Sequence, residues 1–372
     1  MVTVAVAAAG PVHAAAPTSA PIAIMVDLGS NRVLFERDAH HRFPPASLTK
    51  IMTAYVAFEA IAAGRLKPEQ AFVVNHSTWR RWHGVGSTLG LRAGERVPVD
   101  VLLAGTMTVS ANDAAIVLAE GMAGSVPRFA ALMNAEAARL GLKDSHFATP
   151  NGWPDGGATY TSAADLAVLT KALIERHPAL YRRYVGRADM TWNGVRQLNR
   201  IPVQGLVGAD GVKTGFTRES GYGFVGSAVR DGRRVVMVVA GLGSESARAA
   251  QARSFLDWGF DAWQARRVAI AGERFGQARV QQGAQRSVAL LAPSAYFVTT
   301  PRGAPADARL KVRYFGPLRA PLRRGQRVAE LVVSVSGQGD QHLPLVAAGD
   351  VAAAGPWARL RNGLLLLGLV GR

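Results

Sequence analysis

The chain has 372 residues, 49% of them hydrophobic and 19% charged, enough apolar material for a large core and a smaller second unit and too much for a disordered chain. It contains no cysteine, which excludes a disulfide framework and a thiol nucleophile, and its formal charge of +17 draws it toward anionic partners without choosing among them.

Val2 to Ala9 is a short apolar run followed by small residues at Ala14-Ala15-Ala16. It reads as a signal-peptide remnant over residues 1–16, the alternative being an alanine-rich end. No run reaches the ~20 apolar residues of a membrane span. Ile22 to Val26 and Arg32 to Glu36 read as a hairpin around Asp27-Leu28-Gly29-Ser30-Asn31. Pro44-Pro45 interrupts regular structure, and Ser47 to Ala63 follows as a helix ending at Gly64. Helices are expected at Val101 to Thr108, Asn112 to Gly121, Val126 to Leu140 with a stop at Gly141, and Asp165 to Glu175. Strands then return at Gly211 to Thr217, Gly223 to Arg230 and Arg233 to Ala240, the last two joined at Asp231-Gly232. Strands at both ends of a helical block can join one antiparallel sheet that the helices cover, an α+β domain over residues 17–265. A small all-β domain is expected over 268–350, where Leu310, Val312 and Tyr314 alternate with Arg309, Lys311 and Arg313 as in a half-buried strand. Trp357 to Arg372 carries four consecutive leucines and three arginines. Such a segment, 355–372, can lie on an anionic membrane surface or dock on its own protein.

Three short motifs carry chemistry. In Ser47-Leu48-Thr49-Lys50 a hydroxyl and an amine three residues apart share one helical face, and a desolvated lysine can lose its proton and activate the serine. A capping serine followed by a surface lysine looks the same. Ser110-Ala111-Asn112 offers a proton relay and an amide for a substrate carbonyl, or a helix cap. Lys213-Thr214-Gly215 lies on an expected strand; a cation and a hydroxyl suit a carboxylate, and Gly215 leaves room for substrate. No motif is decisive by itself, but the three occur together in this order.

In that order they resemble the signatures of penicillin-binding proteins and serine β-lactamases. Pro44-Pro45-Ala46-Ser47-Leu48-Thr49-Lys50-Ile51-Met52-Thr53, His146-Phe147-Ala148-Thr149-Pro150-Asn151-Gly152 and Asp210-Gly211-Val212-Lys213-Thr214-Gly215 are similar to the low-molecular-mass D-alanyl-D-alanine carboxypeptidases of peptidase family S11. The resemblance implies their transpeptidase-like fold and no cofactor or metal. It implies Ser47 as the acylated nucleophile, Lys50 as its base and Ser110 as the group that passes a proton to the leaving D-alanine. It places the backbone N–H groups of Ser47 and Phe216 around the oxyanion, and Asn112, Lys213, Thr214, Gly215, Arg200 and Arg248 around the substrate. The partners so implied are peptidoglycan stem peptides, β-lactam inhibitors and an anionic membrane surface, with secretion to the periplasm. Phe216 and Thr159 stand where the family often has histidine, and no residue matches the deacylating glutamate of class A β-lactamases. Endopeptidase or β-lactam hydrolase activity, or non-enzymatic wall binding, are the alternative functions. Arg319, Arg323, Arg324 and Arg327 accompany no nucleic-acid motif, so they read as a solvated face or a cell-wall contact.

Overall fold

Val235 to Ala240 is six apolar residues in succession, each at most 1% exposed. An uninterrupted apolar run is what a strand covered on both faces requires, and this one is the centre of a five-stranded sheet. In the computed structural model, which describes residues 15–304, 307–335 and 339–355, that sheet is built from β1 (Ile22–Asp27), β2 (Arg32–Arg37), β3 (Ala209–Thr217), β4 (Gly221–Arg230) and β5 (Arg233–Leu242). Its order is β2-β1-β5-β4-β3, so the two ends of the expected domain do meet in one sheet, and β3 is an edge. The pairs β1–β5, β5–β4 and β4–β3 are antiparallel. Of the expected leader, 1–16, residues 1–14 lie outside the described residues, and so do residues 356–372 of the expected membrane segment, 355–372.

Helix α1 (Lys50–Ala62) buries ten of its side chains, so it runs through the core and not along a surface. Around it lie α2 (Asn112–Ala123), α3 (Val126–Leu140) and α4 (Ala163–Arg176). The Ser125 hydroxyl accepts the Arg128 N–H at the start of α3, and Gly141, at φ 74°, ends it as expected. Helix α4 packs on β1 and β5, while α5 (Glu245–Asp261) packs on β4 and β5. Sequence reading passes over α5 because its buried stripe, Arg248, Ala252, Phe255, Leu256 and Gly259, has the helical spacing but places an arginine and a glycine where apolar residues are expected.

Contacts divide the chain between Asp261 and Ala262, the turn 29–32 grouping with the second unit. That second unit is all β. A pair is formed by β6 (Trp263–Ala269) and β9 (Tyr296–Pro301). A six-stranded sheet comprises β7 (Arg274–Gln281), β8 (Ser287–Leu291), β10 (Ala308–Arg313), β11 (Leu318–Arg319), β12 (Arg327–Val335) and β13 (Gln341–Ala347) in the order β10-β12-β13-β8-β7-β11. Leu290, Leu331, Val333, Leu343 and Leu345 fill its core without exposure. The half-buried reading of 309–314 needs correction: β10 is an edge strand, Leu310 is 44% exposed, and only Val312 and Tyr314 reach the core.

At the end of β1 the fully buried Asp27 carboxylate accepts the Arg233 Nε–H of β5 at 2.5 Å. Removing one partner strands a charge in the interior, which costs about 3–5 kcal/mol. Asp27→Ala is therefore expected to lower the denaturant midpoint by that equivalent, and a loss below about 1 kcal/mol in urea unfolding contradicts the assignment.

Candidate active site

The turn before α1 is a short 3-10 helix, Ala46–Thr49. Side chains three residues apart eclipse in that geometry, which lays the Ser47 hydroxyl over the Lys50 amine: Oγ and Nζ are 2.8 Å apart. Ser47 caps no helix, and Lys50 closes the 3-10 turn through its backbone N–H alone. The N-cap of α1 is Thr49, with no side-chain capping bond.

Lys50 has no exposed surface. Its Nζ also lies 2.9 Å from Asn112 Oδ1 and 2.8 Å from the Asn151 carbonyl. A neutral amine has two N–H donors and one lone pair. With the donors committed to the two carbonyl oxygens, the lone pair is left for the Ser47 O–H. Charge on this amine is opposed first by burial and next by the Lys213 cation, which together pull its pKa well below the usual lysine range against a smaller opposite influence of Asp113.

Ser110 follows a five-residue π-turn, Gly105–Val109, and takes left-handed backbone angles, φ 65° and ψ 30°. The N-cap of α2 falls on Ala111, so the hydroxyl of Ser110 does not serve as the cap; it borders the cavity instead. Asn112 donates one amide hydrogen to the Val85 carbonyl at 3.0 Å, which orients Oδ1 toward Lys50 and leaves the second hydrogen for a ligand. The adjacent Asp113 was not singled out from sequence. Its carboxylate gathers the N–H groups of Leu89, Gly90, Leu91 and Ala114, tying the loop 89–91 to the start of α2. Burial raises its pKa against those four bonds.

Edge strand β3 supplies the opposite wall. Lys213 is 2% exposed and its Nζ donates to the Thr214 carbonyl at 3.2 Å. Burial, then the nearby Arg248 and Arg200 guanidiniums, pull its pKa down to about 7. Arg248 is 4% exposed, pairs with Glu245 at 2.7 Å, and has a buried Nε without a hydrogen-bond partner. Arg200 donates to Ser87 Oγ at 3.1 Å. Both arginines line the cavity, Arg248 buried and Arg200 exposed, so this end presents positive charge and an unfilled donor, features that suit a carboxylate. Thr214 lines it as well.

Gly215 also has a use in packing. A side chain there would meet the Pro45 carbonyl at 2.8 Å and Leu48 at 2.9 Å, so the missing Cβ admits the nucleophile turn against β3, while the backbone of Gly215 still borders the cavity. Gly152, at φ +69°, does the same from the other side, where a Cβ would fall 1.7 Å from the Ala46 carbonyl. Phe216 is 48% exposed and stacks on Tyr222 with centroids 4.1 Å apart. The cavity of about 870 Å³ thus brings Ser47, Ser110, Asn112, Thr214, Arg200 and Arg248 to one surface, with Lys50 and Lys213 directly behind it. Sequence reading did not assign Asn151, Tyr222, Ser87 or Trp153; Asn151 lay inside a quoted motif but acts through its carbonyl, which no side-chain pattern reports.

Residues 9–244 match the family model described as D-alanyl-D-alanine carboxypeptidase, and residues 263–353 match that of the penicillin-binding protein 5 C-terminal domain. The chain is 33% identical over 347 residues to the D-alanyl-D-alanine carboxypeptidase DacD of Salmonella typhimurium, covering 91% of this chain and 88% of that protein. The fold is similar to that of penicillin-binding protein 5 from Haemophilus influenzae, with a TM-score of 0.76, 32% identity, and coverage of 90% of this chain and 98% of that one. It is also similar to penicillin-binding protein D2 from Listeria monocytogenes in its ampicillin-bound form, with a TM-score of 0.59, 29% identity, and coverage of 65% of this chain and 98% of that one.

Because burial and the neighbouring guanidiniums pull the Lys213 pKa down to about 7, a carboxylate held by Lys213 would bind with a defined pH dependence. Protonated Lys213 attracts the anion, so affinity falls as pH rises through that value, and a bound carboxylate moves the transition upward. Calorimetry of an N-acylated D-Ala-D-Ala dipeptide with Ser47→Ala protein from about pH 6 to about pH 9 is expected to show weakening that Lys213→Met abolishes. A flat wild-type profile contradicts the role of Lys213.

Proposed function

The chain belongs to the D-alanyl-D-alanine carboxypeptidase family, and from that premise we propose that it removes the terminal D-alanine of peptidoglycan stem pentapeptides through an acyl-enzyme on Ser47. The observation that carries the reading is the buried Lys50 amine, held by two carbonyl oxygens and 2.8 Å from Ser47 Oγ. Lys50 takes the Ser47 proton as Oγ attacks the carbonyl carbon of the D-Ala-D-Ala bond. The backbone N–H groups of Ser47 and Phe216 hold the oxyanion, and Asn112 binds the acyl part of the peptide. Collapse breaks the C–N bond, and the proton passes from Lys50 through the Ser110 hydroxyl to the departing amine. Lys213, Thr214, Arg200 and Arg248 hold the carboxylate of the leaving D-alanine. Water then attacks the ester carbonyl, gives its proton to the Lys50 side, and Ser47 departs with it restored.

A β-lactam enters the same attack, but its leaving nitrogen remains tethered after ring opening, so no fragment vacates the site. Two acids, Glu219 and Glu245, lie on the cavity wall; Glu245 is held by Arg248 at 2.7 Å, and neither is given a part in activating water in this reading. Slow deacylation, hence inhibition by penicillin, follows. Ser47→Ala is expected to abolish D-alanine release and Lys50→Met to lower it by about 10²–10⁴. Mass spectrometry after penicillin treatment is expected to show an adduct on wild type that Ser47→Ala lacks; an adduct on the variant, or no D-alanine from the wild type, contradicts the mechanism.

The periplasm is the compartment that this substrate requires. There the segment 355–372 serves as an amphipathic attachment to the outer face of the cytoplasmic membrane, on the strength of its leucines and arginines. Truncation after residue 354 is expected to leave pentapeptide hydrolysis intact and abolish co-sedimentation with anionic vesicles; unchanged co-sedimentation contradicts the attachment.

A further inference from the structure

The second unit holds a groove that the acyl-enzyme chemistry does not use. Its volume is about 430 Å³, and its walls come from the stretch around β10 to β11 and the start of β12. Phe315 stands at its side 90% exposed, the most exposed of the large apolar residues among the described residues, next to Tyr314. A phenyl ring left in water beside a concavity is an unsatisfied apolar surface that a flat ligand face can cover.

The charge around this ring is unbalanced. Glu330 is the carboxylate of the groove, and it is shared by Arg313 at 2.8 Å and Arg327 at 2.9 Å, with His342 at 3.2 Å. Arg319 lines the same groove on an exposed position of β11, and among the described residues no carboxylate pairs with it. Three guanidiniums against one carboxylate leave a surplus of planar cations, the geometry that receives carboxylate groups in pairs of parallel hydrogen bonds. The volume falls within the ~300–1,000 Å³ range of ligand sites.

We propose that this groove is a binding site for an acidic glycan, with a sugar face stacked on Phe315 and carboxylates of the strand on Arg319 and on the Arg313–Arg327 pair. Aromatic and guanidinium groups together in a concave site favour a saccharide bearing carboxylates over a lipid surface, which a groove meets only at its rim. The proposal goes beyond the hydrolase reading, resting on it only for the expectation that a cell-wall polymer is at hand, and its test is independent of turnover. The probe is glycan strands freed of their stem peptides by an amidase, which exposes lactyl carboxylates and offers the serine site no peptide.

The full chain is expected to bind these strands in a salt-sensitive manner. Phe315→Ala and Arg319→Glu, both on exposed positions, are each expected to weaken binding about tenfold while thermal stability and D-alanine release from a soluble pentapeptide stay at the wild-type level. Absence of binding by wild type, or equal binding by both variants, overturns the proposal. So does a result in which the variants lose binding to phosphatidylglycerol vesicles and keep it for glycan. Wild type that binds glycan but releases no D-alanine leaves the groove assignment standing and removes the hydrolase reading instead.

Discussion

Burying the amine of Lys50 beside a serine is the constraint on which the catalytic unit is built. An ammonium taken out of water costs several kcal/mol unless it is paired or gives up its proton, and the described residues supply polar partners but no carboxylate in contact with it. Asn112 Oδ1 and the Asn151 carbonyl take its donors, which fixes where α2 must begin and where the loop through residue 151 must run. Those positions demand others. Val85 orients the Asn112 amide, Asp113 pins the loop 89–91, and Gly152 and Gly215 give up their side chains so that the loop and the edge strand can close on the nucleophile turn.

The two buried lysines are coupled by the same physics. The cation of Lys213 disfavours charge on Lys50, so a protonated Lys213 helps keep its neighbour basic and neutral. Lys213 is itself pressed toward neutrality by burial and by Arg248 and Arg200. In the proposed mechanism a substrate carboxylate would stabilise charge on Lys213 and give the buried Arg248 Nε a partner. The two lysines are in this way linked through charge.

The second unit follows another logic. Its core is an ordinary alternation of inward Leu and Val along β12 and β13, and its distinguishing groups lie outside, where Glu330 is divided among Arg313, Arg327 and His342. Nothing in folding such a sheet calls for an exposed phenylalanine at position 315. Residues of this kind, unnecessary to stability, are where a surface role is to be sought.

Local chemistry made much of this legible in the chain. The Asp231-Gly232 turn, the apolar run of β5, the Ser125 to Gly141 boundaries of α3 and the order of the three motifs are properties of neighbouring residues, and they established the sheet, the helices and the family. Other features have no local expression. Helix α5 was hidden because its buried face includes Arg248 and Gly259, whose places are explained only by the cavity and by Met25 across the interior. The half-burial assigned to β10 failed because an alternating pattern does not say whether a strand lies at an edge. Spacing alone could not separate Ser47 and Lys50 from a capped surface helix. Sequence by itself determined which groups were available and in what order; tertiary structure decided that Lys50 is buried, that Asn151 reaches it by a backbone oxygen, and that the missing Cβ of Gly215 admits Pro45 and Leu48. The reason is physical: burial and electrostatic coupling depend on atoms brought together from 62 to 101 positions away.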